Sequence, residues 1–305
     1  MSSRDPESDD IEVPEVGPAS SAEEVIRWTF ASSTQRLVAH EGAVRAGVDT
    51  EGVHQARVAV RRLRSAARTY RSMLEPGWRD DLRRELGWLG DMLGAVRDLD
   101  VLEERMREHA ALLPPDDPAT LPRLLDRLQL RRQAARNQLL SAMQQSRYAH
   151  LIGSLVEAAT RPRVLSDVAD AQATTLMPQV MKAPWSHLTK ACDELGQRYA
   201  DAELHAARIR AKRVRYAAEE LSPVFGRSAR RFARRAEALQ EVLGTHQDAV
   251  MTIAWLHDQS RGAVAPVAFT AGMLAGIEAT VRDVARLAWP DAWAQLRRKR
   301  LRFWG

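Results

Sequence analysis

One pattern of basic residues occurs twice in this chain of 305 residues and constrains its fold more than any other feature. His54-Gln-Ala-Arg57-Val-Ala-Val-Arg61-Arg62-Leu-Arg64 returns as His205-Ala-Ala-Arg208-Ile-Arg-Ala-Lys212-Arg213-Val-Arg215, a shift of 151 residues. A second likeness follows each copy at a shift of 150: Leu93-Gly94-Ala-Val-Arg-Asp98 and Leu243-Gly244-Thr-His-Gln-Asp248. Order and spacing are both kept, as in two copies of one supersecondary unit. Whatever the first half becomes, the second half becomes too.

The unit is helical. Apolar residues recur at helical spacing nearly everywhere, and no stretch alternates like a strand. Breaks fall where Pro and Gly cluster: Glu75-Pro76-Gly77, Leu113–Pro122, Arg161-Pro162, Lys182-Ala183-Pro184 and Ser222-Pro223. Proline lacks the donor a helix interior needs and excludes the preceding residue from helical geometry. The segments between breaks predict an all-α protein of antiparallel helices in four-helix-bundle style. The expected organisation is a disordered acidic tail over 1–20, a first bundle over 21–160, a linker over 161–183 and a second bundle over 184–303.

On a helix, His54, Arg57, Arg61, Arg64 and Arg68 are spaced three and four apart and form one stripe. Ala56, Val60, Leu63, Ala67, Tyr70 and Leu74 fall opposite, as a face for core burial. The second copy sets His205, Arg208, Lys212 and Arg215 against Ala207, Ala211, Val214, Ala218 and Leu221, with Glu219 where the first has Arg68. Solvated helix faces usually mix charges four apart, yet His54 to Arg71 contains no acid. Cations about every 5 Å along an axis suit a linear chain of phosphates, which arginine's planar fork binds bidentately. Arg62 and Arg213 project sideways from the stripe, toward a rim or a salt bridge. Arg36 and Lys190 precede their repeat helices at similar distances and are candidates to line the same site.

Charge agrees with this placement. Residues 1–20 carry six acids against Arg4, a net of −5, so the +5 of the whole chain leaves +10 on the remainder. The tail is expected to occupy the basic site weakly. One cysteine, Cys192, rules out an intramolecular disulfide and a multi-cysteine zinc site. It reads as a buried small residue, and cysteine scarcity fits a reducing cytoplasm. The amino terminus has no signal-peptide pattern, and the apolar run at 263–277 falls short of a membrane span. No two of the eight histidines lie three or four apart and no HExxH occurs, so no metal or other cofactor is expected. His54 and His205 read as donors to phosphate. Asp98 and Asp248 read as helix caps or arginine partners rather than general bases. Arg230, Arg231, Arg234 and Arg235 read as a solvated face or as ligand contacts, and the terminal Arg297–Arg302 as an extension of the binding surface or as charge opposing the carboxyl-terminal dipole of its helix.

The doubled H-x-x-R-x-x-x-[RK]-R-x-R element, each followed by L-G-x-x-x-D, resembles the CHAD family, the conserved histidine α-helical domain, over about residues 21–303. The resemblance implies two pseudo-symmetric four-helix bundles with a basic channel between them, non-enzymatic binding of inorganic polyphosphate, and association with polyphosphate granules in the cytoplasm. It carries over to His54, Arg57, Arg61, Arg64, His205, Arg208, Lys212 and Arg215. The E-x-E-x-K strand of the triphosphate-tunnel domain found in many relatives does not occur. The alternative is a nucleoid-associated, nucleic-acid-binding helical protein, disfavoured because the stripes lack aromatics for base stacking.

Overall fold

Proline starts four of the helices and glycine ends one. The computed structural model describes residues 11–113, 120–196 and 199–305. Helix α1 (Ala22–Ala39) opens on a capping box, Glu24 N donating to Ser21 Oγ at 3.2 Å and Ser21 N to Glu24 Oε2 at 2.8 Å. Helix α2 (Glu41–Ala46) ends at Gly47, whose φ of 64° favours glycine. Helix α3 (Glu51–Thr69) carries the first motif. Pro76 then starts α4 (Pro76–Ala110), where a missing N–H has no intrahelical partner to lose. After α5 (Thr120–Met143) and α6 (Ser146–Thr160), the short α7 (Ser166–Ala169) and α8 (Ala173–Leu176) lead to α9 (Pro178–Asp193). Helix α10 (Asp201–Glu220) carries the second motif and is followed by α11 (Ser222–Ser260), α12 (Ala265–Leu296) and a 3-10 turn at Lys299–Leu301. The described residues contain no strand, only isolated bridges at Ser21–Gln172 and Leu74–Val164.

Three sequence expectations are corrected. The break at Lys182–Pro184 does not form: Pro184 sits inside α9, where the buried Trp185 and Leu188 hold the helix in the core on the far side of the lost hydrogen bond. The chain breaks instead at Gly226, whose φ of 58° and ψ of −130° separate one turn after Leu221 from the long helix that follows. Residues 11–20 are not disordered. Ile11 is buried with Ala31 and Ala159, Gln35 Nε2 donates to its carbonyl at 3.3 Å, and Ala173 N donates to Ser20 O at 3.0 Å. The acids from Asp5 to Asp10, and with them most of the expected acidic tail, lie outside the described residues. The segment expected as a linker holds α7, α8 and the start of α9, and is tied to the first half by Leu165 N to Met73 O at 2.9 Å.

Helix α3 packs on α1, α4 and α10, while α10 packs on α9, α11 and α3. The two motif helices therefore meet each other and each keeps its own long partner. A second set of contacts joins α5 to α12 beyond the far end of α4. There, a cluster apart from the main core contains Met106 with Leu256 and Leu124 with Leu274, pairs related by 150 residues. Thr120 Oγ1 and Thr270 Oγ1, another such pair, are hydrogen-bonded at 2.9 Å. Repeat counterparts therefore touch one another where the two halves meet.

Candidate functional site

The apolar face of each motif helix is buried as its spacing requires, with Ala56, Val60, Leu63, Ala67 and Tyr70 on α3 and Ala207, Ala211, Val214 and Ala218 on α10 no more than 2% exposed. Burying five such side chains is worth several kcal/mol at about 25 cal/mol per Å². That anchorage fixes the rotation of both helices and aims the basic stripes away from the core, toward α4 and α11.

There the L-G-x-x-x-D element finds its purpose. Leu93 and Leu243 are core residues. Gly94, on the neighbouring position, leaves a bare stretch of helix across which the Arg57 guanidinium lies: a Cβ there would stand 3.8 Å from its carbon. Arg57 Nη1 reaches Gly94 O at 3.4 Å and Asp98 Oδ1 at 2.6 Å. Gly244 gives Arg208 the same shelf, with Asp248 3.6 Å from Arg208 Nη2. Four residues separate Gly from Asp, one turn on one face. A methyl group at either glycine would make ordinary van der Waals contact with its arginine. Both aspartates lie in mid-helix, so the capping reading is corrected and the arginine-partner reading stands.

The two stripes converge. Arg61 is held within the electrostatic reach of Arg57, Arg215 and Arg208, and Lys212 within that of Arg208, Arg61 and Arg57. Arg61 and Lys212 are repeat counterparts, 151 residues apart, and so are their neighbours Arg57 and Arg208. Burial is the main reason that the Lys212 ammonium is pushed down to about 7, with the neighbouring guanidinium groups acting in the same direction. Burial likewise lowers Arg61, whose guanidinium rests 5.2 Å from the Tyr216 ring. The Nε atoms of Arg61 and Arg208 are buried without a hydrogen-bond partner among the described residues. These are cations assembled without enough acids to satisfy them.

The histidines differ. His205 Nδ1 lies 2.7 Å from Gln247 Oε1, a geometry that fits a protonated Nδ1 donating to the amide oxygen. His54 meets Arg97 at the equivalent place, and burial first and that charge second hold its pKa below the ordinary value. Arg97 escaped the sequence reading although it stands inside the L-G-x-x-x-D element.

The likeness between the halves is broken at the ends of the row. Arg62 Nη2 reaches Glu219 Oε2 at 2.7 Å, and Arg215 is bound by Glu219 at 2.7 Å and Glu237 at 2.6 Å. Shifting by the repeat turns Arg62–Glu219 into Arg213–Arg68 and replaces Glu237 by Gly87. Arg68 accordingly faces Arg213, Arg83 and Arg64, and burial with these charges lowers it to about 10. Arg213 and Arg83 each bury an Nε without a hydrogen-bond partner among the described residues. One end of the row is open and cationic; the other is closed by two acids. Arg83 is a second residue that the motif could not reveal. Arg36 and Lys190 are exposed and form no hydrogen bond or ion pair with the row; Lys190 lies 3.8 Å from Glu194. Cys192 is buried, as expected of a lone small residue.

Against known proteins, the family model described as the CHAD domain matches residues 29–257, three quarters of the chain. The chain belongs to the CHAD family. The CHAD domain from the plant Ricinus communis has the same all-α fold, with a TM-score of 0.74 and 28% identity over 94% of this chain and 96% of that one. PptA from Streptomyces chartreusis shares the fold at a TM-score of 0.75 and 22% identity, covering 90% of this chain and 100% of that one. Among curated proteins, the uncharacterized protein Rv2226 of Mycobacterium tuberculosis (strain ATCC 25618 / H37Rv) is 30% identical over 284 residues, 88% of this chain. The uncharacterized protein MT2285 of strain CDC 1551 / Oshkosh is 29% identical over the same length. The chain spans about half the length of both, 52% in each case. Among the described residues, no helix is long and apolar enough to cross a membrane.

Proposed function

We propose that this CHAD protein binds inorganic polyphosphate along the Arg57–Arg61–Lys212–Arg208 row without chemistry on the chain, and that this binding associates it with polyphosphate granules in the cytoplasm. The site lies between two pseudo-symmetric helical bundles, the first built on α1 to α6 and the second on α9 to α12. One observation carries the reading: the two basic stripes come together at the repeat counterparts Arg61 and Lys212, with buried donors that no acceptor among the described residues satisfies. Clustered, partly desolvated cations raise the energy of the free protein, and a polyanion relieves both the repulsion and the missing hydrogen bonds. A row of cations one helical turn apart matches successive phosphates rather than one compact ion.

Replacing Arg57, Arg61, Arg208 and Lys212 together by alanine should remove long-chain polyphosphate binding at physiological salt while circular dichroism stays unchanged. Wild-type affinity should fall steeply with salt, by a slope of roughly −0.7 per phosphate engaged if a single-stranded polyanion is the guide. Undiminished binding by the quadruple variant refutes the site. Competition separates the nucleic-acid alternative, since polyphosphate should displace DNA at much lower phosphate concentration than the reverse.

A further inference from the structure

The shift of 150 residues that relates the two L-G-x-x-x-D elements also relates two clefts of unlike charge. The first, a concavity of about 710 Å³ beside α4 and α6, is lined in part by Asp81, Glu85, Arg147, His150 and Leu151. The second, of about 220 Å³, lies between α11 and the turn after α12, with Arg231, Arg235, Arg298, Arg300 and Leu301 in its lining. Adding 150 to Asp81, Glu85, His150 and Leu151 gives Arg231, Arg235, Arg300 and Leu301. The clefts are counterparts, and both leucines are buried.

In the first cleft the charges cancel. Arg147 Nε donates to Glu85 Oε2 at 2.6 Å, and Arg84 Nη1 to Asp81 Oδ1 at 2.9 Å. In the second, both acids have become arginines while the opposing wall has stayed basic. Among the described residues the Arg231, Arg235, Arg298 and Arg300 side chains have no acidic partner, and Arg231 Nη2 is tied to the Arg300 carbonyl at 3.3 Å. All four arginines are exposed, and two separate elements, α11 and the turn after α12, line one hollow with them. We infer that this hollow is a second anion site, separate from the central row, that takes a phosphate group. Arginine forks match phosphate oxygens, and the volume is several times the roughly 30 Å³ of one water, enough for a phosphate with its hydration. Two sources supply that group: a free short phosphate, or a segment of a long chain whose remainder lies on the row. Only the second source rests on the polyphosphate reading of the row.

The test is calorimetry on the full chain with pyrophosphate and with long-chain polyphosphate. Arg231→Asp with Arg235→Glu restores the residues that the first half already accommodates; Arg231→Gln with Arg235→Gln, checked by circular dichroism, serves if that pair fails to fold. In the background of the quadruple row variant, pyrophosphate binding at low salt should persist and should weaken at least tenfold when either pair is added. With the row intact, a loss of threefold or more in long-chain affinity identifies the chain as the source, and an unchanged long-chain affinity identifies a separate small phosphate. The inference is overturned if the row variant binds no pyrophosphate, or binds it equally well with the pair present. Failure of the row itself would appear differently, as undiminished long-chain binding by the quadruple variant.

Discussion

Lys212 should make polyphosphate binding proton-linked above neutral pH. Its ammonium is held at about 7 in the free protein, against an ordinary 10.5, by burial and by Arg208, Arg61 and Arg57. A phosphate chain laid along the row replaces those repulsions with attraction and returns the pKa toward its ordinary value. At pH 8.5 the free lysine is then about 3% protonated and the bound lysine almost fully so, and binding takes up close to one proton. From pH 7 to 8.5 affinity should fall about fifteenfold, or ~1.6 kcal/mol. The sign for the free protein is the reverse: with the folded pKa below the unfolded one, its stability rises as pH climbs from 7 toward 10.5. Internal phosphates of a long chain carry one strongly acidic oxygen each and do not titrate in this range. Calorimetry at pH 8.5 in two buffers of different ionisation enthalpy counts the protons directly. Lys212→Arg keeps a cation that does not titrate here, so its proton uptake should vanish and its affinity should stay flat with pH. Absence of proton uptake by the wild type, or a pH dependence that survives in Lys212→Arg, refutes the reasoning.

Three further outcomes are expected. Glu219→Gln releases Arg62 and one of the two acids on Arg215, so polyphosphate affinity at low salt should rise about threefold or more and the salt slope should steepen; an unchanged titration would show that the closed end takes no part. Glu220 is fully enclosed and burial raises its carboxyl well above 4.5, which makes its stability contribution complete below the unfolded pKa and progressively lost as pH rises toward the folded one. Glu220→Gln should therefore raise Tm at pH 8 relative to wild type and less so at pH 4.5, which thermal unfolding at the two pH values checks. Glu278 is 1% exposed against Arg105. Glu278→Ala should cost about 3–5 kcal/mol in denaturant unfolding, and Arg105→Met with Glu278→Leu should recover most of it.

Helical spacing made α3 and α10 readable down to their buried faces, because a period of 3.6 leaves little choice of which side chains point inward. The partnership of Arg57 with Asp98 was legible as one of two options, since a repeated Asp beside Leu-Gly serves either as a cap or as an arginine partner. Its position in mid-helix decided between them. Pro184 misled because local backbone preference is outweighed when buried residues such as Trp185 and Leu188 hold both sides of a proline in the core. Residues 11–20 misled for a similar reason: a polar, proline-containing stretch carries one isoleucine, Ile11, that finds a buried seat between α1 and α6.

By itself, then, the sequence determined a duplicated all-α architecture and the cationic stripe on each copy, features set within single helices or by a regular shift along the chain. Tertiary structure alone decided the rest. It brought Arg61 near Lys212, recruited Arg83 and Arg97 from α4, closed one end of the row with Glu219 and Glu237, and set four arginines around one hollow beside α11. Each depends on which helices touch and at what height, and electrostatic interactions between residues distant in the chain act through that distance in space, which no local pattern encodes.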